Sequence, residues 1–84
     1  MKPDKLLRRI QTDRANVRFG DFVRLIEALG FELDRHDGGS HRIYVHPKVP
    51  KHLNLQDYGG QAKPYQIKKL LQLVDAYSLR IERP

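Results

Sequence analysis

Four histidines, at positions 36, 41, 46 and 52, stand in a chain of 84 residues that has no cysteine. Without a thiol, the acid–base candidates narrow. Histidine is the side chain whose ordinary proton affinity lets it act as base and acid near neutral pH. His41 has the most suggestive setting, because Gly38-Gly39-Ser40 comes directly before it. A turn of small residues exposes backbone N–H groups beside a hydroxyl, and such a turn can cradle a phosphate. An imidazole next to an anion-binding turn is the minimum equipment for cutting RNA without a metal. The ribose 2′-hydroxyl attacks the adjacent phosphorus, the imidazole removes its proton, and a nearby Arg or Lys stabilises the charge that develops on the phosphorane. The alternative also stands: His41 shares a strand face with Ile43 and Val45 and could simply pack at the edge of the core.

A metal centre is not expected. An offset of five places His41 and His46 on opposite faces of a strand, and no paired carboxylate completes a site. With no cysteine there is no Cys-based zinc or iron–sulfur site either, so no cofactor is expected.

These residues need elements to hold them. Residues 1–14 read as a short polar helix with a narrow stripe of Leu6, Leu7 and Ile10, followed by a connector at 14–18. A second helix is expected from about Gly20 to Leu29, with Phe22, Val23, Leu25, Ile26 and Leu29 on a wide apolar face. Gly30 then takes the position just past the helix end. Residues 31–35 alternate as a strand should, and Asp37-Gly38-Gly39 signals a tight turn. His41–His46 is the clearest strand, with His41, Ile43 and Val45 on one side and Arg42, Tyr44 and His46 on the other. A turn at Pro47–Pro50, a third strand at 53–56 and a loop at Tyr58-Gly59-Gly60 follow. Pro64 opens a last helix with a stripe of Ile67, Leu70, Leu71, Val74 and Tyr77. Lys68 and Lys69 lie off that stripe.

Helices on one face of a three-stranded antiparallel meander make a two-layer α+β domain. The other face is then open. On this reading it carries Arg42, Tyr44 and His46, a platform on which Tyr44 could stack a base, or else an ordinary solvated sheet face.

The chain is long enough for one domain with a thin core. Sixteen Lys and Arg against ten Asp and Glu give a formal net charge of +6, and nucleic acid is the leading polyanion for such a surplus. No apolar run approaches the length of a membrane span, the start of the chain is polar rather than signal-like, and a disulfide-free small domain suits a reducing compartment. A cytoplasmic location is the expectation.

Three stretches carry a family resemblance: Ala28-Leu29-Gly30-Phe31, then Gly39-Ser40-His41-Arg42-Ile43-Tyr44, then Lys63-Pro64 ahead of a Leu-rich helix. Together they resemble the HicA toxins over about residues 19–79. The resemblance implies a fold like the double-stranded-RNA-binding domain, αβββα, over 19–84, with 1–18 as an additional N-terminal helix and connector. It implies an mRNA-cleaving endoribonuclease neutralised by a HicB-type antitoxin, with His41 catalytic and Gly39 and Ser40 shaping the turn. Where many members carry a Pro-x-His after the third strand, this chain has Asp57-Tyr58-Gly59-Gly60.

Arg42 and Lys51 are the candidates for phosphate contacts, and Lys68 and Lys69 for the RNA backbone. His36, His46 and His52 are open candidates for the general acid. The alternative function is a non-catalytic RNA-binding module of the same fold.

Overall fold

The computed structural model describes residues 1–36, 39 and 41–82. The turn expected at Asp37-Gly38-Gly39 therefore falls mostly outside the described residues, as does Ser40. The elements run α1 (Pro3–Ile10), β1 (Val17–Arg18), α2 (Phe19–Ala28), β2 (Glu32–His36), β3 (His41–His46), β4 (Val49–Gln56), β5 (Gln61–Ala62) and α3 (Pro64–Ala76). Strands β2, β3 and β4 form an antiparallel sheet in that order. The architecture is the α+β arrangement expected, consistent with a double-stranded-RNA-binding-domain-like αβββα fold.

Helix α1 has Pro3 in its first turn, where a missing N–H costs nothing, Asp4 at its positive end, and Arg8 and Arg9 at its negative end. Eight residues cannot hold a helix alone. Burial of Leu6 and Ile10 in the common core supports it. The helix thus shares one core with α2. The segment read as a connector contains β1, which pairs antiparallel with β5, Val17 opposite Ala62 and Arg18 opposite Gln61.

Helix α2 is the centre of the core. Phe22, Leu25, Ile26 and Leu29 are fully buried. The helix ends in the motif that a following glycine permits. Gly30 has φ +99°, its N–H reaches Glu27 C=O at 3.0 Å, and Phe31 N–H reaches Ile26 C=O at 3.2 Å. A Cβ on Gly30 would stand 2.9 Å from His46 Nε2, so backbone conformation and close approach both require glycine there.

The sheet corrects one expectation. Tyr44 is 1% exposed and His46 6%. They lie on the covered face of β3, with Leu53 and Leu55 of β4, and Tyr44 is not available to stack on a base. Arg42, on the same side, is half-buried with its guanidinium over the Phe19 ring, 5.4 Å from the centroid. The open face belongs instead to His41, Ile43 and Val45, paired with Asn54 and Gln56 of β4 and with Glu32 and Arg35 of β2. His46 is affordable inside because both ring nitrogens are used. Nδ1 accepts the Lys48 N–H at 3.0 Å, and Nε2–H donates to Leu29 C=O at 3.0 Å. The latter is one of the carbonyls that every helix C-terminus leaves unpaired. The ring also meets Phe31 edge-on, centroids 5.0 Å apart.

Strand β4 starts earlier than the alternation suggested, at Val49, and the turn shrinks to Pro47-Lys48. Pro50 is tolerated because β4 is an edge strand of its sheet. Beyond α3 the chain returns to the core: Leu79 is buried, and Glu82 N–H caps Ala28 C=O at 2.7 Å.

Two substitutions test this packing. Ile10→Ala should lower unfolding free energy by about 2–5 kcal/mol in urea denaturation, whereas a loosely attached α1 would give almost no change. His46→Ala should cost about 2 kcal/mol or more by leaving the Leu29 C=O and Lys48 N–H unpaired, while His41→Ala should stay within about 0.5 kcal/mol of the parent.

Candidate functional site

The parity of β3 decides where the site is. With Tyr44 and His46 turned inward, His41 turns outward, and its side chain is exposed at the start of the strand. Its partner across the sheet is Gln56, the last residue of β4. The imidazole therefore stands at one end of the sheet, where the start of β3, the end of β4 and the start of α3 meet.

Helix α3 is brought to that end by an unusual contact. Gln66, in its first turn, is buried. Oriented so that its amide oxygen meets an N–H, Gln66 accepts from Gln56 N–H at 2.8 Å and donates to Gln56 C=O at 3.3 Å. Gln56 ends an edge strand, whose outward main-chain groups need a partner. A side-chain amide supplies it. Ile67 and Leu70 then seat the helix on the core.

Between α3 and β4 lies a cleft of about 240 Å³ whose lining includes His41, Asn54, Gln56, Tyr65 and Lys69. Tyr65 and Lys69 are one helical turn apart and so share a face of α3. A second depression, of about 340 Å³, is lined by His36, Gly39, Arg42, Asp57, Gly59 and Gly60. Its floor is a tight turn in which Asp57 Oδ1 accepts the Gly60 N–H at 2.6 Å. Gly59 and Gly60 have φ of +61° and +85°, which glycine adopts at no steric cost. His36 Nε2 lies 2.9 Å from Gly39 C=O across the same depression.

The expected residues separate accordingly. His41 and Lys69 meet in the first cleft, and Gly39 and Arg42 meet in the second. Lys68 is exposed on α3 but is not among the residues lining the His41 cleft. Lys51 is five residues from Gln56 along β4, about 17 Å at the rise of an extended strand, and so is not brought to His41. His52 is four residues from Gln56, about 13 Å by the same measure. His46, buried with both nitrogens occupied, cannot serve as a general acid. His36, which pairs with Arg42 across β2 and β3, is the nearest of the three. Ser40 lies outside the described residues.

Sequence reasoning passed over Tyr58 and Tyr65. Their hydroxyls are hydrogen-bonded to each other, and the rings meet edge-on with centroids 6.3 Å apart. That hydrogen bond, with desolvation and the neighbouring phenol behind it, holds the Tyr58 hydroxyl above the ordinary tyrosine range. Lys63 Nζ sits 5.3 Å from the Tyr58 ring centroid. The signal available in the sequence was the position of Tyr65, four residues before Lys69 and off the apolar stripe of α3.

Among the described residues, no three His, Asp or Glu side chains are grouped so as to hold a metal ion, and no helix is long and apolar enough to cross a membrane. What the site offers is one exposed imidazole in a cleft with Lys69, with Arg42 in a separate depression, and hydrogen-bonding groups around both. That set can move a proton and balance negative charge.

Comparison with known proteins gives one match. The family model for the HicA toxin of bacterial toxin–antitoxin systems matches residues 19–75, from the first residue of α2 to the last turn of α3. No curated protein and no solved structure matches the chain. The matched segment covers more than half of the chain and includes His41, the Gly30 helix end and both clefts, so this protein belongs to the HicA toxin family of bacterial toxin–antitoxin systems.

Proposed function

We propose that the protein is a metal-independent endoribonuclease toxin that cleaves mRNA in the cytoplasm and is neutralised by a HicB-type antitoxin. The observation that carries this reading is the exposed imidazole of His41 at a sheet end, in one cleft with Lys69.

The chemistry follows from those positions. His41 takes the proton of a ribose 2′-hydroxyl as its oxygen attacks the adjacent phosphorus. The bond to the 5′-oxygen then breaks, leaving a 2′,3′-cyclic phosphate and a 5′-hydroxyl. Lys69, in the cleft of His41, supplies positive charge for the phosphorane oxygens, and Arg42 adds charge from the separate depression. Lys69 is free to approach. Arg42 is tethered over Phe19, which fixes its position at the cost of reach. Gly39, which lines the second depression, has no side chain to keep a phosphate from the backbone there. Lining the depression on the Gly39 side supports His36 as the histidine that protonates the leaving oxygen. The net charge of +6 draws the polyanion to the surface. The attacking hydroxyl belongs to the substrate, so the reaction needs no activated water. An antitoxin in this scheme covers His41 and both depressions, and an acidic face on it would complement the cations there.

The decisive experiment compares the purified parent with His41→Ala on a defined single-stranded RNA. Cleavage by the parent should fall by about 100-fold or more in the variant, with an unchanged circular dichroism spectrum. Equal cleavage by both would dispose of the nuclease reading and leave an RNA-binding module of the same fold. The parent's cleavage should persist undiminished in excess EDTA, with a cyclic phosphate on the 5′ fragment. Loss of activity on chelation would remove the metal-independent mechanism.

A further inference from the structure

Tyr65 is 61% exposed, one of three large apolar side chains so exposed among the described residues. The other two, Met1 and Leu33, lie at other places in the fold. An exposed phenol ring usually sweeps through several rotamers. This one is tied down at its far end by the hydroxyl of Tyr58. Tyr58 is in turn held edge-on against Tyr65 and under Lys63. A ring fixed before its ligand arrives loses little entropy on binding. It also borders the same cleft as His41 and Lys69.

We propose that Tyr65 and Lys69 form a subsite that stacks one unpaired RNA base beside His41, an assignment that rests on the nuclease reading above. The exposed ring supplies a π-face, on which bases stack whatever their identity. Lys69, one turn further along α3, meets the phosphate attached to that nucleotide. Asn54 and Gln56 border the cleft as well and bring amides able both to donate and to accept toward a base edge. The cleft, about 240 Å³, is smaller than the roughly 300–1,000 Å³ of drug-sized pockets. It has room for a single ring system and not for a helix. In a duplex the bases are already stacked on one another, so this subsite selects single-stranded RNA. It also gives the chain the base platform that Tyr44, sealed in the core, cannot provide.

The test uses full-length protein carrying His41→Ala, so that RNA stays intact, and a fluorescein-labelled single-stranded RNA dodecamer followed by anisotropy. Adding Tyr65→Ala should weaken binding about tenfold, whereas Tyr65→Phe, which keeps the ring, should stay within about threefold. A duplex of the same sequence should bind with the same affinity with or without Tyr65→Ala. Three results would overturn the subsite: an unchanged Kd for the single strand on Tyr65→Ala, an equal loss on single strand and duplex, or unchanged RNA affinity with loss of antitoxin binding. The two readings fail separately. If His41-intact protein binds RNA through Tyr65 but leaves it uncut, the nuclease falls and the subsite stands. If His41→Ala abolishes cleavage while Tyr65→Ala alters neither RNA affinity nor kcat/KM, the subsite falls and the nuclease stands.

Discussion

Everything at the site follows from which way the middle strand faces. A strand alternates, so a single burial decision fixes all of its side chains at once. Here Tyr44 and His46 go inward, against helix α2 and the Phe31 ring. The decision is held in place chemically as well as by packing. The His46 imidazole takes up the Leu29 carbonyl at the helix end and the Lys48 N–H of the next turn, and the glycine between helix and strand leaves just enough room for it. Slipping the strand by one residue would strand those groups and put His41 under the helix. The chain therefore uses one histidine to fix the orientation of another.

The second constraint concerns α3. A helix beside a sheet edge could sit at many heights along it. The paired bonds between the Gln66 amide and the Gln56 main chain select one. Because Gln56 is opposite His41, that choice also sets which α3 side chains accompany the imidazole. Register in the sheet and register of the helix are thus coupled at a single residue. The cations at the site illustrate two regimes. Arg42 is anchored on an aromatic face and half-buried, whereas Lys69 is solvated and mobile in the manner of surface lysines. One gives a fixed charge and the other an adaptable one.

Much of this was legible in the sequence. The boundaries of β3, the start of α3 at Pro64 and the glycine ending α2 follow from period, proline and conformational preference, and the structure places them where those rules do. The alternation of β3 was read correctly, but its sides were reversed. Arg42, Tyr44 and His46 look polar beside Ile43 and Val45, and polarity argued for water. What reversed the assignment was hydrogen bonding and a ring contact that only the folded chain supplies, since a histidine with both nitrogens satisfied is an acceptable core residue. Strands β1 and β5 escaped notice because two residues carry no periodicity. Tyr65 escaped because its partner Tyr58 lies in a loop, and their meeting depends on the turn at Asp57–Gly60. The place of His41 at the start of β3 was legible from the turn residues before it.

The small β1–β5 pair has an effect on the order in which the molecule can be built. It joins a segment near the beginning of the chain to one that lies just before α3. During synthesis β1 leaves the ribosome long before its partner exists, so helix α2 can form early but its entry remains unfastened. Only after residue 62 emerges does that clasp close, and the wall of the His41 cleft, carried by α3, arrives later still. A truncated or stalled nascent chain would hold the imidazole but not the cleft around it.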